Sequence, residues 1–322
     1  MYTILAQRIK QFEETTMHCT SLHYNIYAPK HPMIYDMLLS PFVEFEFMRR
    51  ALVGAGAMAL SSGIMGIFLM LRRMSLMGDA MAHAILPGAA AGYLLYGLSL
   101  PAMTIGGLVA GGLVATLAGI VARTTTLEED ASFAAFYLLS LALGVTLVSM
   151  KGSNLDLLHV LFGSVLALDN PTLYLLAGTS SLTLLMIAII YRPLVIEWVD
   201  PAFLKAIGSR SGAIAHLLFL ALMVLNLVAG FHALGTLLAV GLMMLPAASA
   251  RMWNTDLVPL VLTSTGFGLI SGYIGLLMSY HWSVPAGPSI ILTAGIIYIL
   301  SLIFGSRCGL AKKIYMRHHR TG

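Results

Sequence analysis

The chain has 322 residues, of which 58% are hydrophobic and 10% charged, with a mean hydropathy of +0.88. A soluble domain carries roughly 25% charged residues, so this composition excludes one and describes a polytopic membrane protein. Two cysteines, Cys19 and Cys308, lie near opposite ends without a CxxC pair, which indicates neither a disulfide scaffold nor a thiolate metal site.

Residues 1–34 are of mixed polarity and lack the apolar core of 7 to 15 residues that a secretory signal needs; they form an N-terminal extension. From Tyr35 to Met48, YDMLLSPFVEFEFM mixes aromatic and acidic residues and suits the membrane interface. Apolar blocks of about 20 residues, the length that crosses a hydrocarbon core, then fall near 51–71, 80–99, 102–122, 131–149, 172–191, 213–230, 233–250, 257–279 and 287–305. These are continuous runs, so the fold class is an all-α, polytopic transmembrane helical bundle of about eight to ten spans, and a lipid-facing β-barrel is disfavoured. The 31 glycines and 20 methionines suit close helix packing in lipid.

Arg72, Arg73, Arg123, Arg192, Lys205, Arg210, Arg251 and the tail residues Arg307, Lys312, Lys313, Arg317 and Arg320 mostly occupy alternate loops. The positive-inside rule makes those loops and the C-terminus cytoplasmic. Arg49 and Arg50 favour a cytoplasmic N-terminus as well, whereas alternation through nine spans puts it outside; both readings stand on sequence alone. The basic tail, 306–322, fits anionic lipid headgroups and not nucleic acid.

The second block opens with MSLMGDAMAHAILPG from Met74. Asp79 and His83 stand four residues apart, which places a carboxylate and an imidazole on one helix face, able to hold a divalent metal. An ionisable residue at membrane depth is a functional hypothesis by default. Spacing alone fits equally a capping Asp79 and a His83 bonded to a neighbouring carbonyl. Pro87, four residues after His83, predicts a bent or interrupted helix, and counting from Arg73 leaves Asp79 near the cytoplasmic surface.

Further along, Glu128, Glu129 and Asp130 form the acidic first turn of a helix. Asp156 and His159, spaced i and i+3, are a second pair that could line an outer vestibule, or else a capping aspartate and an interfacial histidine. The connection 191–212, YRPLVIEWVDPAFLKAIGSRSG, is the longest polar one in the membrane region. In it Asp200 can cap a short helix beginning Pro201, Ala202 and Phe203, and Gly208 can end it. Such a helix reads as a docking knob or as a plain surface turn. His216, Asn226 and His232 read as packed, hydrogen-bonded residues, and His281 and Trp282 as interfacial anchors.

Six segments carry a family resemblance. LRRMSLMGDAMAHAILPG from Leu71, EEDASFAAFYLLSLALGVTLVS from Glu128, NLDLLHVLFGSVLALDN from Asn154, DPAFLKAIG from Asp200, ALGTLLAVGLMMLPAASAR from Ala233 and SVPAGPSIIL from Ser283 occur in order. The chain from about Tyr35 to Gly305 thereby resembles the membrane permease of the ABC-type zinc, manganese and iron uptake family, an ABC-3, type II importer-like fold. The resemblance implies that Asp79 and His83 bind the transported metal; Asp156 and His159 stand as a lesser candidate pair on their spacing alone. It makes Asp200, Pro201, Phe203, Leu204, Lys205, Ala206 and Gly208 part of a coupling helix that inserts into a separate ABC ATPase subunit. It further implies a permease homodimer in a bacterial cytoplasmic (inner) membrane, fed with Zn²⁺ or Mn²⁺ by a periplasmic or surface metal-binding protein. No Walker A sequence occurs in the chain, so the expected polypeptide hydrolyses no nucleotide itself, and no permanently bound cofactor is expected. A secondary transporter driven by an ion gradient is the rival reading; it calls for further buried carboxylates beyond Asp79.

Overall fold

The computed structural model describes residues 33–307 except 73, 75, 98, 127–128, 151–164 and 200–210. Asp156, His159 and the segment Asp200 to Gly208 therefore lie outside the described residues. Two short helices, α1 (Met33–Leu38) and α2 (Ser40–Glu44), belong to a small unit that ends at Glu44.

From Phe45 onward the described residues form nine long helices: α3 (Glu46–Leu71), α4 (Met77–Tyr96), α5 (Leu100–Thr124), α6 (Glu129–Met150), α7 (Asn170–Val199), α8 (Ser211–Leu234), α9 (Thr236–Arg251), α10 (Leu257–Trp282) and α11 (Ala286–Phe304). Each grows from one of the nine apolar blocks. Lipid cannot bond a free backbone N–H or C=O, so a continuous apolar run satisfies itself as a helix. Six of the nine are long and apolar enough to cross a membrane, namely α3, α5, α7, α8, α10 and α11. The apolar stretches of α6 and α9 are shorter. Asp79, His83 and three glycines make α4 less apolar than those six.

The helices alternate in direction, and their ends sort by charge. Arg251 at the end of α9 donates to the Met70 carbonyl of α3 over 3.0 Å. The Arg307 N–H, just past α11, bonds the Met252 carbonyl at 3.1 Å, and Arg72 reaches His216 near the start of α8. One end of the bundle thus gathers the arginines that follow α3, α9 and α11. Arg50 lies at the opposite end, beside Asp169 at the start of α7. Nine alternating helices put the start of α3 and the end of α11 at opposite ends of the bundle, the arrangement that alternation expects. Asp169 caps α7 by accepting the Thr172 N–H at 3.1 Å. Hydrogen bonding from the Thr172 side chain, with Arg50 nearby, holds its carboxyl below the usual carboxylate range.

Two sequence-drawn boundaries shift. Helix α7 continues through Pro193 to Val199, so the connection to α8 is 200–210 and not 191–212. The added turns bury Leu194, and the backbone bond that Pro193 removes is a loss that helices packed in a membrane bundle tolerate. Helix α4 likewise runs unbroken through Pro87.

Small residues let the helices close up. Gly88 of α4 sits on the Gly106 backbone of α5, and a Cβ on Gly92 would meet the Ala102 carbonyl. Between α8 and α9 a single residue, Gly235, turns the chain with φ of +87°, a conformation that costs other residues strain. Replacing Gly106 by Ala should destabilise the purified protein by about 1–3 kcal/mol, because the obstacle is backbone and cannot move aside. Gly112→Ala, which meets nothing within 4 Å, should leave thermal unfolding in detergent unchanged or raised; equal melting of both variants would refute this packing.

Candidate metal-transit site

Asp79 lies in the first turn of α4 and His83 in the next. Asp79 Oδ1 and His83 Nε2 are 3.7 Å apart, with side-chain exposures of 66% and 31%. That gap is too long for a hydrogen bond, and an ion bonded about 2.1 Å from each atom can span it. His83 Nδ1 is buried without a hydrogen-bond partner among the described residues, which leaves Nε2 as the nitrogen facing Asp79. Together with Leu86 and Ala90 the pair forms the stripe of α4 that its neighbours leave partly uncovered.

The turn that carries the pair is not where linear counting puts it. Met74 and Met77, in the connection from α3 and at the start of α4, are buried. A Cβ on Gly78 would meet the methyl groups of Met243 and Met244 at 2.7 and 2.8 Å. Gly66 of α3 packs on the Met243 carbonyl at the same level. Met243 precedes Arg251 by eight residues in α9, so the start of α4 lies about 12 Å inside the arginine-lined end at 1.5 Å per helical residue. The burial of Met74 and Met77 sets the start of α4, and Asp79 with it, inside the bundle.

Helix α6 forms the bed on which the motif rests, and sequence reasoning missed it. Tyr137 stacks on His83 with ring centroids 6.3 Å apart and planes 28° from parallel. Ser140 donates to the Ala84 carbonyl over 3.0 Å, and Gly144 lies against Pro87. Tyr137, Ser140 and Gly144 recur at i, i+3 and i+7, one face of a helix, and match residues 83, 84 and 87 in parallel. That small and polar stripe within an otherwise apolar run was the available signal.

Among the described residues no group of three or more His, Cys, Asp and Glu side chains comes together. The other expected polar residues each make a bond, although His232 Nε2 and Asn226 Oδ1 are buried without a hydrogen-bond partner among the described residues. His232 Nδ1 donates to the Val228 carbonyl of its own helix at 2.9 Å. Asn226 donates to Thr183 Oγ1 at 2.6 Å and to the Leu222 carbonyl at 2.8 Å, tying α8 to α7. His216 bonds Arg72. Trp282, at the end of α10, is exposed.

The sequence has relatives along nearly its whole length. The manganese transport system membrane protein MntC of Halalkalibacterium halodurans is 33% identical over 288 residues, covering 89% of this chain and 95% of that protein. The manganese import system permease protein ScaB of Streptococcus parasanguinis is 32% identical over 264 residues, 82% of this chain and 92% of that one. Among solved structures, PsaBC of Streptococcus pneumoniae in complex with a Fab superposes with a TM-score of 0.73 at 32% identity, over 86% of this chain and 98% of that chain. The model of the ABC 3 transport family matches residues 44–305. A continuous match across all nine long helices, carried by relatives as similar as these, means that this multi-pass membrane protein belongs to the ABC 3 transport family.

Proposed function

We propose that the chain is the membrane permease of an ATP-driven importer for a divalent transition metal, with manganese as the principal cargo. The observation that carries this reading is the Asp79 and His83 pair, set on one face of the membrane-embedded α4 in a chain that matches manganese-import permeases nearly end to end. A hard carboxylate with a borderline imidazole suits Mn²⁺ and also Zn²⁺. The carboxylate offsets part of the ion's charge in a low-dielectric path. Two ligands from one chain make a weak site, and weakness serves transit, since the ion must leave as well as enter.

The positive-inside rule makes the arginine-lined end cytoplasmic and the end with Asp169 external, in a bacterial inner membrane. A metal-binding protein delivers the ion at the external end. Two copies of the permease face each other across their uncovered α4 stripes, so that each supplies an Asp79 and a His83. Asp200, Pro201, Phe203, Leu204, Lys205, Ala206 and Gly208 form the coupling segment that docks on an ATPase subunit, where nucleotide is hydrolysed. Alternation between the two states of that ATPase opens the path first outward, then inward. The permease itself makes and breaks no covalent bond.

Asp79→Ala and His83→Ala should each abolish radiolabelled manganese uptake in cells that lack the native gene, with membrane levels unchanged. Normal uptake by both variants would remove the pair from the path, and stronger competition by zinc than by unlabelled manganese would reassign the cargo. Ala206→Glu places charge on the coupling segment and should abolish co-purification of the ATPase subunit; retention would move the docking site elsewhere.

A further inference from the structure

Arg72 directly follows α3 and lies seven residues ahead of Asp79. Its guanidinium donates to Nδ1 of His216 over 2.7 Å, and its Cζ stands 5.6 Å from the centre of the Trp198 ring. The two partners belong to different helices: His216 sits near the start of α8 with 4% exposure, and Trp198 is the last residue but one of α7. Beneath them Phe68 of α3, Trp198 and Phe219 of α8 form a closed triangle of edge-on rings, with centroids 4.5, 5.4 and 6.2 Å apart. One cation therefore holds three helix ends together.

Those three ends are not equivalent to the rest of the bundle. The end of α7 and the start of α8 flank the 200–210 connection, and the end of α3 leads through 72–76 into the turn that carries Asp79. A guanidinium suits this position because it is planar and permanently charged, and it can donate in its plane while its face lies over an aromatic ring. The indole N–H of Trp198 is buried without an acceptor among the described residues, although buried indoles usually find one. Trp198 is thus held through its ring face, a contact that tolerates sliding better than a directional hydrogen bond does.

We propose that Arg72 is the joint that couples the end of α7 and the start of α8 to the helix bearing Asp79 and His83. This rests on the importer reading above and deepens it. Displacement of the α7 end pulls on the Arg72 guanidinium, and Arg72, five residues ahead of Met77, sets the height and rotation of the first turn of α4. Arg72 touches no cargo; it is a positioning residue whose loss leaves the ATPase attached and turning over, disconnected from the ion.

The test uses the intact complex of permease and ATPase in proteoliposomes, with manganese uptake and ATP hydrolysis measured in the same vesicles. Arg72→Ala and Arg72→Lys should each lower manganese moved per ATP at least tenfold, with hydrolysis within twofold of the unaltered complex and the ATPase still co-purifying. Trp198→Phe keeps an aromatic face for the guanidinium while giving up the indole's second ring and its N–H, so it should keep the ratio within about twofold. An unaltered ratio in both Arg72 variants overturns the proposal. So does a parallel fall of uptake and hydrolysis, or loss of the ATPase from the complex, since either makes the cluster merely structural. Failure of the importer reading is separate: vesicles with the unaltered permease would then show no ATP-dependent uptake at all.

Discussion

Lipid gives a helix no reward for burying apolar side chains, so a membrane bundle is held by how closely its backbones approach and by the few polar bonds between them. In this chain that constraint falls hardest on α4, the helix that must also carry a carboxylate and an imidazole. Its Gly88 and Gly92 lie on the α5 backbone, its Gly78 lies under two methionines of α9, and its Pro87 rests on Gly144 of α6. Held on three sides, α4 keeps one stripe uncovered, and Asp79 and His83 lie on it. The packing thus fixes which face of the helix stays uncovered.

Interhelical polar contacts follow the same economy. Ser140 on the Ala84 carbonyl, Ser180 on the Ala57 carbonyl, Ser264 on the Gly63 carbonyl and Asn226 on Thr183 each join two helices with one short side chain. None of these groups is charged, which avoids the cost of an ion at membrane depth. Among the described residues charge is confined to the ends of the bundle and to Asp79, whose carboxylate is mostly exposed on its helix face.

Much of this was legible in the sequence. Each apolar block became a helix, because in lipid the run of apolar residues leaves the backbone no other choice, and Asp79 and His83 share a face because i and i+4 always do. What was not legible depended on contacts between distant segments. The depth of Asp79 escaped linear counting because Met74 and Met77 are buried at the start of α4, and nothing local marks that. Tyr137 was missed because its role lies in stacking on a ring 54 positions earlier. The length of α7 was underestimated because Pro193 and Glu197 look like loop residues, while the buried face of Leu194 decides otherwise.

Helix α9 has only 16 residues, about 24 Å at 1.5 Å per residue, against a hydrocarbon core of about 30 Å. It begins at the Gly235 turn, at the end of the bundle opposite Arg251, and its partly exposed positions 237, 240, 241 and 244 lead toward the Met243 level where α4 begins. From that turn to Asp79 is seven residues of helix, roughly 10 Å. On the proposed path an ion bound at Asp79 stands about a third of the membrane's thickness from that turn, so the electrostatic barrier that Asp79 and His83 would offset is smaller than a full crossing imposes.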